Sequence, residues 1–264
     1  MHPMLNIAIR AARRAGNIIV RGMSRIEDLK VERKGRHDYV SEIDHEAESA
    51  IVETLLTAYP DHAIVAEESG QQGDSDHIWI IDPLDGTLNY LHSFPQFAVS
   101  IGLQINNRME HGVVYDPTRD ELFTASRGAG ALCNNRKIRV SRCQSMESAL
   151  LATGFPVRHE AQIEPYLGTL GEVLKTSAGI RRAGAAALDL AYVASGRVDG
   201  FWEFGLQPWD VAAGSLLVEE AGGLVSDVRG GQGYVDSGDI IAATPKLLKG
   251  LAQAVTKVPF PAAG

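Results

Sequence analysis

The residues that could do chemistry are acids placed directly after short apolar runs. Glu67-Glu68 follows Ala63–Ala66, and Asp210 follows Trp209 at the start of a predicted helix. Asp82 and Asp85 follow the apolar run 77–81, inside Asp82-Pro83-Leu84-Asp85-Gly86-Thr87. A strand delivers its last residue to one edge of a sheet, so several strands can bring such carboxylates together. Clustered carboxylates repel one another unless a cation neutralises them. Hard oxygen ligands of this kind favour Mg²⁺, Mn²⁺ or Ca²⁺ over Zn²⁺. Pro83 stiffens the turn that separates Asp82 from Asp85. Gly86-Thr87 then opens 88–91; as a helical turn, its free N–H groups form an anion site beside the acids. Metal carboxylates next to an anion site point to phosphate chemistry, in which metals hold phosphate oxygens and activate water.

Each acid also has an ordinary explanation taken alone. Asp85-Gly86 is a common turn pair, Asp210 is a good helix N-cap, and Glu67-Glu68 reads as a solvated loop. The joint pattern is more informative, because an apolar strand running straight into Asp-Pro-Leu-Asp-Gly-Thr is poor surface decoration. Other chemistries lack their signatures. The sequence has no Gly-x-Ser-x-Gly elbow, no Walker A loop and no paired histidines at zinc spacing. Gly128-Ala129-Gly130 reads as a hairpin turn.

The elements that must position these residues alternate along the chain. The spacing predicts helices over 3–22, 41–58 (with Ser41 as N-cap), 161–175, 185–194, 210–221 and 245–256. Strands are expected at 63–66, 77–81, 97–104, 112–115, 121–125, 130–132, 137–140, 150–154, 199–204, 224–226 and 240–243. The polar stretch 34–38 reads as a loop. Helices alternating with strands around a central meander imply a layered α/β fold, not a Rossmann or TIM pattern.

The chain has 264 residues, with 25 Lys+Arg against 33 Asp+Glu and a net charge of −8. That balance argues against a dedicated nucleic-acid binder. The length fits one domain over 1–264, with a sub-domain seam near residue 145. No apolar run is long enough to span a bilayer, and no secretory leader is expected. The two cysteines, Cys133 and Cys143, cannot form a disulfide framework, so free thiols in the cytoplasm are expected. Arg10, Arg13, Arg14 and Arg21 all precede the first carboxylate. Leu5, Ile9, Ala12, Gly16 and Ile19 lie on one face, as in a first helix docked on a core.

Three motifs, in this order and spacing, carry a family resemblance. They are Glu67-Glu68-Ser69-Gly70, Trp79-Ile80-Ile81-Asp82-Pro83-Leu84-Asp85-Gly86-Thr87 with Asn89, and Trp209-Asp210-Val211-Ala212-Ala213-Gly214 with Glu220-Ala221-Gly222-Gly223. Almost end to end, the sequence resembles the inositol monophosphatase family, most closely its SuhB-type bacterial branch. The resemblance implies an α-β-α-β-α sandwich and Mg²⁺-dependent hydrolysis of inositol 1-phosphate. It implies Glu67, Asp82, Asp85, Asp210 and the Leu84 carbonyl as metal ligands. Glu67 and Thr87 would orient and deprotonate the attacking water, with Asp44 hydrogen-bonded to Thr87. The N–H groups of Gly86 and Thr87 would hold the phosphate. Ala186 and Glu203 would contact inositol hydroxyls, with Asp85 and Asp210 beside the substrate. Lys34 would lie in the loop that the family closes over an additional metal. Without the resemblance, Asp44 reads as an exposed helix carboxylate and Glu203 as a strand-end charge.

The sequence departs from the family's pattern at Leu88, often Thr, and at Ala185, often Ser or Thr. The second departure bears on ligand selectivity. A different phosphate ester is the alternative substrate: fructose 1,6-bisphosphate, another sugar phosphate or a nucleotide. Arg181-Arg182 is the basic pair nearest to serve a second phosphate, and reads better as a subunit contact or loop anchor. The resemblance also implies a homodimer. A further alternative is a partner of RNA polymerase or antitermination factors, with the Arg10–Arg21 face and Arg181-Arg182 as contact surfaces.

Overall fold

A computed structural model describes residues 2–35, 38–157 and 160–259. The first helix, α1 (Pro3–Gly22), is followed by the hairpin β1 (Val31–Gly35) and β2 (Asp38–Ser41) and by α2 (Glu42–Ala58). Then come β3 (Ala63–Ala66), β4 (Gly70–Gln72), β5 (His77–Asp85) and the short α3 (Thr87–Leu91). The meander is β6 (Ala98–Ile105), β7 (Arg108–Asp116), β8 (Glu121–Ser126), β9 (Gly130–Cys133) and β10 (Arg136–Lys137). The second half holds β11 (Leu150–Thr153), α4 (Ile163–Leu174), β12 (Gly179–Arg181), α5 (Ala186–Ala194) and β13 (Gly200–Glu203). It closes with α6 (Pro208–Glu220), β14 (Leu224–Ser226), α7 (Tyr234–Ser237), β15 (Ile240–Ala243) and α8 (Leu248–Val255).

Two sheets organise the described residues. One has eight strands in the order β10-β9-β8-β7-β6-β5-β3-β4, and the other has five in the order β12-β11-β13-β15-β14. Alternation along the strands explains the layering. Trp79, Ile81, Val99, Ile101, Leu103 and Val113 pack with Leu5, Ala12, Ile19, Ile51 and Leu55 of α1 and α2. The intervening Ile80, Ala98 and Val114 pack with α5 and α6. Those two helices are covered on their far side by the five-stranded sheet, through Ala152, Phe201, Ile240 and Ala242. The other face of that sheet meets α4 and α8 through Leu151, Trp202, Ile241, Tyr166 and Leu251. The order is therefore helix, sheet, helix, sheet, helix, the expected sandwich.

Small side chains let the middle layer approach. A Cβ on Gly102 would sit 3.2 Å from the Ala212 side chain, and one on Gly112 would sit 2.8 Å from the Ala213 carbonyl. Helix α6 is buried from Val211 to Val218 without a polar face, as a helix sandwiched between two sheets must be.

Several elements differ from the sequence reading. The stretch 34–38 is not simply a loop: Lys34 and Gly35 end β1, which pairs antiparallel with β2, while Arg36 and His37 lie outside the described residues. β1 has no buried position, so it gives no alternation to read. β10 stops at Lys137, short of the expected 140. The short β4 and β12 and the four-residue α7 have no predicted counterpart. β5 runs on through the acids to Asp85, with an irregularity in its pairing to β6 between Asp82 and Asp85. Pro83 has no N–H to give a ladder and falls inside that irregularity.

Candidate active site

The irregularity in β5 turns the chain so that two acids of one strand, three residues apart, face one cavity. The Asp82 carboxylate accepts from the Leu84 N–H at 2.9 Å, which fixes the local turn. Asp85 reaches across the molecule: its Oδ2 accepts from the Ala187 N–H at 2.8 Å. Asp85 therefore caps α5. That helix starts from Ala185, which has no side-chain oxygen to cap with.

Asp210 arrives from a different element. It is the third residue of α6, not the N-cap: Gln207 is the cap, and Asp210 Oδ2 accepts from the Gln207 N–H at 2.7 Å. This is the acidic half of a capping box. One carboxylate oxygen from each of Asp82, Asp85 and Asp210 lies within 4.8 Å of the others. The cavity they line is about 260 Å³ and also holds Glu67, Leu84, Gly86, Thr87, Ala186 and Glu203. Glu67 thus shares the cavity without belonging to the three-acid set.

The electrostatics favour binding of a cation. Burial, then repulsion from Glu67, Asp85 and Asp210, raises Asp82 well above the usual carboxylate range. Burial and Asp210 push Asp85 up to about 7. Burial pushes Glu67 up to about 8, against the lowering effect of Lys34. Lys34 Nζ donates to Glu67 at 3.3 Å and to Glu68 at 2.6 Å, so strand β1 carries an ammonium to the cavity's edge. The Glu68 and Ser69 N–H groups both donate to Glu48 of α2, each at 2.8 Å, which anchors the segment after β3. Two buried carboxylates and a half-buried third, within 4.8 Å of one another, suit a hard divalent metal.

Next to the acids, Gly86 adopts φ +94° and starts α3. A Cβ there would sit 2.9 Å from the Gln96 carbonyl, so both conformation and space require glycine. Thr87 Oγ1 lies 2.9 Å from Asp44 Oδ1 and 3.0 Å from the Leu84 carbonyl. One hydroxyl proton serves these two acceptors in turn. Asp44 is fully buried, not the exposed helix carboxylate that its sequence context suggests alone. Its other oxygen accepts from the Ser41 N–H and hydroxyl, completing the cap of α2. Asn89 Nδ2 donates to Gln96 and Ala183 carbonyls at 2.7 and 2.9 Å. That pins α3 to the segment entering α5.

On the far wall, Glu203 ends β13 and lines the cavity. Its carboxylate lies so close over Gly154 that a Cβ there would overlap it. Arg182 also lines the cavity and stacks 5.0 Å over the Phe155 ring. It therefore faces the acid-lined cavity. Two features escape sequence reading: the Asp85 cap on α5 and the Phe155–Arg182 wall. Both join residues far apart in the chain, and no local pattern marks them.

The comparisons with known proteins match this architecture. The model of the inositol monophosphatase family matches residues 1–259. A Pseudomonas aeruginosa protein named Nus factor SuhB is 53% identical over 257 residues, covering 95% of each chain. The crystal structure of the extragenic suppressor protein SuhB from Bartonella henselae superposes with a TM-score of 0.94. It is 46% identical and covers 97% of this chain and 99% of that one. The inositol monophosphatase from Anabaena superposes with a TM-score of 0.85 at 40% identity, covering 97% and 96%.

Proposed function

The chain belongs to the inositol monophosphatase family, and from that premise we propose that its acid-lined cavity hydrolyses a phosphate monoester, with inositol 1-phosphate as the substrate. The observation that carries this reading is the convergence of Asp82, Asp85 and Asp210 within 4.8 Å beside Gly86 and Thr87. These three acids, with Glu67 and the Leu84 carbonyl, would hold Mg²⁺. Bound there, the metal would supply charge for the phosphate oxygens and acidify water. Glu67 and Thr87 orient the attacking water and take up its proton, while Asp44 holds the Thr87 hydroxyl. The N–H groups of Gly86 and Thr87 receive phosphate oxygens. Ala186 and Glu203 meet the hydroxyls of the leaving alcohol, with Asp85 and Asp210 beside it.

The test is phosphate release from inositol 1-phosphate with and without Mg²⁺, with fructose 1,6-bisphosphate in parallel. Asp82→Asn and Asp210→Asn should each lose at least about a hundredfold in kcat, the scale seen when a charge-stabilising group is removed. Near-normal turnover by either variant would refute the assigned site. Preference for the bisphosphate keeps the site and changes the substrate.

A second reading rests on the relatives. A protein about half identical over nearly the whole chain bears the name Nus factor, which favours a role with the transcription antitermination machinery over inositol 1-phosphate as the cellular task. RNA polymerase and antitermination factors are then the partners. Pulldown of RNA polymerase by the purified chain tests it, and retained capture by Asp82→Asn would separate this role from catalysis. We place the chain in the cytoplasm as a homodimer. Sedimentation at two concentrations checks the dimer. No helix among the described residues is long and apolar enough to cross a membrane.

A further inference from the structure

A second, larger cavity lies at the other end of the eight-stranded sheet. Strand register places it there: Asp85 pairs with Ala98, whereas His77 pairs with Ile105 at the opposite end of β5. Ile105 in turn pairs with Arg108, and His111 with Ser126. Ile105, Arg108, His111 and Ser126 all line this cavity, whose volume is about 960 Å³. That is within the size range of small-molecule sites, roughly 300–1,000 Å³.

Two arginines, Arg108 and Arg127, bring guanidinium donors to it. Arg108 Nε donates to Glu110 at 2.7 Å. Arg127 Nε donates to the Met109 carbonyl at 2.6 Å, and its Nη2 to Glu219 at 3.2 Å. Among the described residues, no acceptor takes either Nη of Arg108 or Nη1 of Arg127. The two histidines add another donor. The Met4 N–H can only donate, so His2 Nδ1, 3.3 Å away, accepts and carries no proton. His111 Nε2, 3.0 Å from that same Nδ1, must then be the donor between the rings. His111 Nδ1 accepts from Ser126 Oγ at 2.8 Å. This leaves the Nε2–H of His2 available. The N-terminus of α1 opens here with no acid in its first turn, so its dipole adds positive potential. Glu110 is the one carboxylate lining the cavity and lies between the two arginines, 2.7 Å from Arg108 Nε and 4.0 Å from Arg127 Nε. Leu5, Ile105 and Leu132 give the cavity an apolar wall.

We propose that this cavity is a second binding site, for an organic anion of nucleotide size. The anionic group meets Arg108, Arg127 and His2, and the apolar part lies against Leu5, Ile105 and Leu132. The site stands apart from the acid-lined cavity in position and in sign: one gathers carboxylates for a cation, the other gathers N–H donors for an anion.

The probe is 8-anilinonaphthalene-1-sulfonate, an anion with an apolar ring system. It is titrated into the full chain while amide resonances are followed by NMR. Saturable shifts are expected at Asn106, Ala129 and Gly130. Arg108→Glu should weaken binding about tenfold or more, the ordinary loss when a charge-assisted hydrogen bond goes. The Arg108 side chain is 66% exposed, so this variant should fold. Shifts centred on the exposed apolar residues Leu88 and Phe94, no saturable shift at all, or unchanged affinity in Arg108→Glu would each overturn the proposal.

Discussion

Burial makes Glu67 and Asp85 hold protons more tightly in the folded chain than in the unfolded one. Their ordinary values, 4.5 and 3.8, rise to about 8 and about 7, first through burial. Between those limits the folded state binds more protons than the unfolded state, so raising the pH favours unfolding. The metal-free protein should therefore melt at progressively lower temperature as pH rises through that window. Mg²⁺ should raise the melting temperature more at the upper end, because ionised acids bind it best. Thermal melts at several pH values, with and without Mg²⁺, check this. A Mg²⁺ effect that shrinks as pH rises would sink it. At this scale much of the site was legible. Asp82 and Asp85 end an apolar strand, and Asp210 stands in the first turn of a helix that brings it to them. Glu203 and Asp44 were legible only through the family resemblance, because one acid at the end of a strand or in a helix carries no signal of its own.

Among the elements, the long ones with a continuous buried face were the most readable. α1 and α2 show their periodicity because one face of each is buried. β1 is exposed throughout, and no alternation distinguishes it from a loop. The sequence offered α3 only as a possible helical turn after Gly86-Thr87; the structure shows that turn, with Gly86 at φ +94°. Gly86→Ala combines left-handed strain with a 2.9 Å contact to the Gln96 carbonyl. It should cost about 1–3 kcal/mol, measurable by urea unfolding, and should displace the N–H groups assigned to phosphate. A variant of wild-type stability and turnover would show that the start of α3 is more tolerant than its geometry implies.

For the whole molecule, the alternation of helices and strands made a layered α/β fold legible, but the order of the layers came from the family resemblance and the reason they close up was not legible at all. The inner face of the eight-stranded sheet uses Ala98, Ser100, Gly102 and Gly112 toward α6. Ser100 Oγ donates to the Trp209 carbonyl at 3.1 Å, next to Asp210. Gly112→Val would drive a side chain into Ala213, where even a Cβ would lie 2.8 Å from the carbonyl oxygen. Overpacking of this kind costs about 1–3 kcal/mol or more. Because α6 carries Asp210, the variant should also bind Mg²⁺ less tightly than a surface control, as calorimetric titration would read. Lost stability with unchanged Mg²⁺ affinity would mean that α6 shifts without carrying its first turn along.

Helix α6 is held at both ends. Asp210 stands in its first turn, and in its last turn Glu220 accepts from the Gly128 and Gly130 N–H groups at 2.8 and 2.7 Å. Glu219 accepts from Arg127 beside them. Thirteen residues make a rod of about 20 Å between the carboxylate cavity and the turn that borders the distant one. Any occupant that shifts this rod changes the free energy of the other end, and thermodynamic linkage makes the exchange mutual. The factor by which an anion on the β8–β9 side alters Mg²⁺ affinity must equal the factor by which Mg²⁺ alters the anion's. The two cavities are then two handles on one equilibrium, and titrating either in the presence of the other measures a single coupling constant.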